Sequence, residues 1–146
     1  MEKFKFKLDG LLKLREFKEN RLKQELGAIL QEIQKVENEI LAIQNSIVEA
    51  YDSQNELLKE ASMGSMIQFY PYFIKGRKED ELAKKQLLKS LNQNYQLKLN
   101  ELKTARGEVK LIENMKEDKL KIYKKNKQKK HQDDIDDILN MKRVNE

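Results

Sequence analysis

The sequence predicts an all-α fold, a long two-helix antiparallel coiled-coil hairpin. Three observations carry that expectation: an apolar repeat of 3.5 residues over 22–61, a second over 88–112, and a single cluster of turn-forming residues between them. In the first repeat, Leu22, Leu26, Ile29, Ile33, Val36, Ile40, Ile43, Ile47, Ala50, Gln54, Leu57 and Ala61 follow one another in steps of four and three. That spacing holds a narrow apolar stripe on one side of a supercoiling helix. A chain that is 38% charged and 7% aromatic, with five Gly and one Pro, suits long solvated helices better than a thick core.

Helix one is expected over about 8–61, roughly 80 Å at about 1.5 Å per residue. Upstream of Leu22 a strict seam would turn Glu19 and Arg15 inward while Leu11, Leu14 and Phe17 lie on neighbouring faces, so the helix is expected to continue and the two-stranded register to be lost. Gly27 lies off the seam and costs about 1 kcal/mol against Ala, which a helix of this length absorbs. The break follows at Ser62-Met63-Gly64-Ser65 with Pro71 soon after, because Ser and Gly favour turns and Pro lacks the amide that a helix interior needs. The corner is therefore set at about 62–71.

Helix two is expected over about 72–131, with its stripe at Leu88, Leu91, Tyr95, Lys98, Leu102, Ala105, Val109 and Ile112. Lys98 is the polar member, of the kind that fixes register at some cost in stability. Met115 and Ile122 come next only if a three-step replaces a four-step, a stammer that overwinds the supercoil. An acidic C-terminal segment, about 132–146, completes one elongated domain spanning 1–146. An open continuous dimer would bury a similar area, and the turn residues favour the hairpin.

Such a body has a side and two ends, and catalysis wants concave, water-excluding sites that two packed helices rarely provide. The chain has no Cys, which rules out thiolate chemistry, disulfides and Cys-based zinc sites. His131 stands alone between Lys130 and Gln132, and the carboxylates of 133–137 lack the glycine and distal glutamate of an EF-hand. No catalytic residue, metal or cofactor is expected. The basic start Met1-Glu2-Lys3-Phe4-Lys5-Phe6-Lys7 precedes no apolar stretch, so it reads as neither signal peptide nor membrane anchor. In a hairpin, the lysines of 3–23 would meet those of 116–130 and make one basic pole from a net charge of only +5. Between Ser65 and Lys75 comes the densest aromatic cluster, where Phe69, Tyr70, Tyr72, Phe73 and Ile74 have little structure near a two-helix tip to bury them all.

Two segments resemble a known family. Phe4-Lys5-Phe6-Lys7-Leu8, followed by Leu11, Leu12, Leu14, Arg15 and Glu16, is similar to the opening of the FliJ family of flagellar export proteins. Lys116-Glu117-Asp118-Lys119, through Tyr123 to Asp134-Ile135-Asp136-Asp137, resembles that family's charged helix with its terminal acidic-aliphatic element. The resemblance implies a non-enzymatic stalk of the bacterial flagellar type III export apparatus, cytoplasmic and peripherally associated with the inner membrane at the flagellar base. It implies paired termini in the pore of the export ATPase ring, a hairpin end that reaches the export gate membrane protein, and handling of export chaperones. By position, Leu11, Leu12, Leu14, Arg15, Glu16, Lys119, Tyr123 and Asp136 would face the ring. The cluster of Phe69, Tyr70, Tyr72, Phe73 and Ile74 is expected to dock the gate; within it Phe73 and Ile74 resemble a phenylalanine-isoleucine pair in the region that meets the gate, although Pro71, Gly76 and the stretch Arg77 to Ala83 depart from the family pattern.

Three other readings stay open on the residues alone, one of them a weak interfacial membrane contact through Phe4, Phe6 and the flanking lysines, limited by so short an apolar segment. A generic coiled-coil tether or scaffold would need only the rod. Sequence-blind nucleic-acid binding would use the Lys119 to Lys130 stretch, against which stands its lack of Arg for bidentate base contacts.

Overall fold

The computed structural model describes residues 3–59 and 64–145, with side chains over 3–59 and 68–145. It contains two helices, α1 over Asp9–Lys59 and α2 over Gly64–Val144, and no strand among the described residues. The chain enters α1 through Phe6, whose carbonyl accepts from the Asp9 amide at 3.2 Å. The Asp9 carboxylate sits in the first turn, where it complements the helix dipole.

The second helix is longer than its sequence suggested. Ser62 and Met63 of the expected corner lie outside the described residues, but Gly64 already opens α2 and Pro71 falls inside it. The acidic C-terminal segment from about 132 onward is not set off from helix two, and α2 runs through it as far as Val144. There Gln132 donates to Asp136 one turn on, at 3.2 Å, and Lys142 and Arg143 complement the dipole in the last turn.

Contacts divide the chain into two units. The terminal unit comprises Met1–Arg21 with Leu102–Glu146, and the central unit Leu22–Glu101. In each, the partner number on α2 falls as the number on α1 rises, so the helices are antiparallel.

In the terminal unit Leu12, Val109 and Ile112 form a buried cluster on which Phe6 and Leu8 pack. The register is not lost here, contrary to the expectation from Glu19 and Arg15. Arg15 donates to the Glu108 carboxylate at 3.1 Å and Arg106 to Glu19 at 3.3 Å, so the polar seam positions are satisfied by ion pairs across the interface. The stammer is absent as well. Met115 and Ile122 are exposed, and Lys116, Leu120 and Tyr123 are half-buried in their place, at steps of four, four and three from Ile112. A lysine is tolerated there because its stem lies along the seam while its ammonium reaches Asp9 at 2.8 Å.

In the central unit, Ile33, Val36, Ile40 and Ile43 are buried as their spacing predicts. The α2 side of this seam is more polar than the stripe from Leu88 onward suggested, because Arg77, Glu81 and Lys84 continue it toward Ile74 and lie half-buried. Lys84 pairs with Glu39, and its hydrogen bond holds the Glu39 carboxyl below the ordinary range against an opposing desolvation cost. Lys98 bridges Glu25 at 3.0 Å and Glu101 at 3.6 Å. The hydrogen bond to Glu25, then the charge of Glu101, push its ammonium above the ordinary lysine value.

Pro71 should interrupt a helix, since it removes one backbone bond and its ring crowds the carbonyl four residues before it, a cost of about 3 kcal/mol. Burial on both sides of it carries α2 through. Ile74 joins Ile43, Ile47 and Ala50 in a buried cluster, with Tyr70 and Phe73 packed against it. Pro71→Ala is accordingly expected to stabilise the chain by about 1–3 kcal/mol, read as a higher midpoint in urea at unchanged slope.

Candidate functional sites on the terminal unit and the first turns of α2

The residues carried to the ring-facing end do not share one surface. Leu12 is core, packed on Val109 and Ile112. Arg15 is half-buried in its pair with Glu108, and the Tyr123 ring lies 5.5 Å from that of Phe4. Glu16 is half-buried, while Lys119 and Asp136 are exposed. Leu11 and Leu14 point outward, Leu14 at 62% exposure.

The outward pair has counterparts on α2 that sequence reasoning missed. The Arg15–Glu108 pair marks one edge of the interface. Leu11 lies one turn before Arg15 on that edge, and Met115 and Ile122 follow Glu108 at intervals of seven, which returns a supercoiled helix to the same edge. The pairs Asp9–Lys116 and Arg15–Glu108 also set Met115 at the level of Leu11 and Leu111 at the level of Leu14. Leu111, Met115 and Ile122 are all exposed, Leu111 at 63%. The result is an apolar edge drawn from both helices. Its signal in the sequence was that these residues fall out of step with the seam, which the stammer had explained away.

The aromatic cluster also divides. Ile74 is core, with Tyr70 and Phe73 half-buried against it. Phe69 stacks on Phe73 with ring centroids 5.8 Å apart, and the Arg77 guanidinium lies over Phe73 at 5.6 Å, so 69, 73 and 77 form a ladder one turn apart. Tyr72 faces away from this packing at 80% exposure.

Among the described residues no group of three or more His, Cys, Asp or Glu is placed to hold a metal ion, and no helix is long and apolar enough to cross a membrane. None of the curated proteins and none of the solved structures matches the chain. A family model described as flagellar FliJ protein matches residues 4–145, and with two antiparallel helices and both terminal motifs inside that span, the chain belongs to the FliJ family of flagellar export components.

Proposed function

We propose that this chain is the central stalk of the flagellar export ATPase ring, set in the ring by its terminal unit, reaching the export gate membrane protein through the first turns of α2, and handling export chaperones. It would work in the cytoplasm, peripherally at the inner membrane of the flagellar base. The observation that carries the reading is the apolar edge of Leu11, Leu14, Leu111 and Met115 on the unit that holds both family motifs. Solvent-exposed leucines drawn from two helices at one level are costly unless a partner covers them. The exposed lysines of 119–130 surround the same helix and would steer it toward an acidic wall.

The test is stimulation of the purified export ATPase by the purified chain. Leu14→Asp combined with Leu111→Asp is expected to cut stimulation at least tenfold while the urea midpoint stays within about 0.5 kcal/mol, as for surface changes generally. Stimulation that survives both substitutions would remove the ring-facing role of this edge. Retained stimulation together with tight, steeply salt-dependent binding to duplex DNA would instead favour phosphate contact by the lysines.

A further inference from the structure

The central unit carries a second apolar stripe that neither the hairpin nor the proposed ring and gate contacts use. Along α1, positions 41, 44, 48, 51, 55 and 58 repeat the alternating three and four steps of a seam, and four of the six are Leu41, Val48, Tyr51 and Leu58, all exposed. A solvated face of a coiled coil is ordinarily polar, so a second seam on one helix is the pattern of a helix with two partners.

The stripe borders a groove. Tyr51, Gln54, Pro71, Lys75, Lys78 and Leu82 line one stretch of it. Val48, Gln44 and Lys85 extend it past the shared Lys78 and Leu82. Lys89 carries it further along α2 beyond Lys85. The Lys78 ammonium donates to the Tyr51 hydroxyl at 3.0 Å and lies 5.5 Å from its ring centre, which closes the floor between the helices. This is the edge opposite the Phe73–Arg77 ladder and the Glu39–Lys84 pair, since Tyr51 and Lys78 lie across the seam from those positions.

The two walls differ in charge. The α1 wall offers Gln44, Val48, Tyr51 and Gln54, none of them charged. The α2 wall offers Lys75, Lys78, Lys85 and Lys89 against the carboxylates of Glu79 and Glu81, the latter already paired with Lys85 at 3.4 Å. An occupant must therefore be apolar below, uncharged toward α1 and acidic toward α2. From Leu41 to Leu58 the stripe runs about 25 Å, close to five helical turns.

We infer that this groove docks an amphipathic helix of a partner protein, about five turns long, with an apolar seam spaced by threes and fours and carboxylates along the flank that meets α2. Apolar area supplies the affinity and the one-sided charge supplies orientation and partner choice. The inference does not depend on the stalk reading, because its test reads peptide binding to this chain alone, with neither the ring nor the gate present.

The experiment uses the full chain and two synthetic 20-residue helical peptides with leucine at the seam positions, one with glutamate along a single flank and one with lysine there. Fluorescence anisotropy is expected to show the glutamate peptide binding at least tenfold more tightly. Lys78→Glu with Lys85→Glu should reverse that order, and Val48→Asp with Leu82→Asp should abolish binding of both peptides. Circular dichroism should be unchanged in both double variants, because Val48 and Leu82 are 58% and 59% exposed. Equal binding of the two peptides, binding of neither, or binding that survives Val48→Asp with Leu82→Asp would overturn the inference. Self-association of the wild type that Val48→Asp with Leu82→Asp removes would give the groove to a second copy, and binding to phosphatidylglycerol vesicles lost in the same variant would give it to a lipid surface. Either result would displace the partner helix.

Discussion

Ile40→Asp is expected to unfold the central unit at room temperature, whereas Ile40→Ala should leave it folded and weaker by about 2–5 kcal/mol. Ile40 is buried in a row with Ile33, Val36 and Ile43, and Val36 retains only 1% of its surface. The seam lysine on the facing helix, Lys84, is already held by Glu39, and burying a carboxylate without a partner costs far more than the lost methylenes. A two-helix unit has no deeper core to hold it together, and native stability is of the order of 5–15 kcal/mol. Far-ultraviolet circular dichroism reports the outcome directly: a helical Ile40→Asp variant with a wild-type urea midpoint would mean that α2 does not cover this stripe. The alanine variant guards the interpretation, since it removes packing and adds no charge.

The second large effect separates two neighbours on α2. Ile74→Ala is expected to cost about 2–5 kcal/mol, because it opens a hole against Ile43, Ile47 and Ala50. Tyr72→Ala, two residues away, should shift the urea midpoint by no more than about 0.5 kcal/mol, since its ring is mostly in solvent. If the first turns of α2 reach the export gate, Tyr72→Ala should nonetheless weaken binding to the purified cytoplasmic domain of the gate protein at least tenfold, measured by calorimetry. Exposed tyrosines supply large contact areas at low entropic cost, and such residues dominate interface energetics. Unchanged gate affinity for Tyr72→Ala would remove this surface from the gate contact. The cluster is thus part cap and part candidate surface, a division that the five residues read as one group could not reveal.

The two helices, the seam from Leu22 to Ala50 and the inward row from Leu102 to Ile112 were legible because a 3.5-residue repeat has one economical solution, burial of each stripe by the other. The terminal motifs were legible too, and the match over 4–145 agrees with them. Less legible were the places where a charged residue occupies the seam. Read by polarity alone, Arg15 and Glu19 suggested a lost register, and the apolar Met115 and Ile122 a stammer. In the structure Arg15, Glu19 and Lys116 each meet an opposite charge on the facing helix, Glu108, Arg106 and Asp9 respectively, and the seam continues. The acidic Asp133 to Asp137 run marked a segment beyond helix two because charge runs favour solvent, and it stays exposed while lying within α2.

By itself the sequence determined that the chain is helical, that it pairs with itself in antiparallel order, and that its ends carry the family's motifs, because periodicity and local motif are properties of neighbours along the chain. Only the tertiary structure decided that Pro71 lies within α2, that Leu12 and Ile74 are core while Leu14 and Tyr72 are surface, and that Leu111 and Met115 join Leu11 and Leu14 on one edge. Those outcomes turn on which residue of one helix stands opposite which residue of the other, about two dozen positions away at Ile74 and about a hundred at Leu12. That register is set by the sum of many weak contacts along the interface, and no single stretch of sequence contains it.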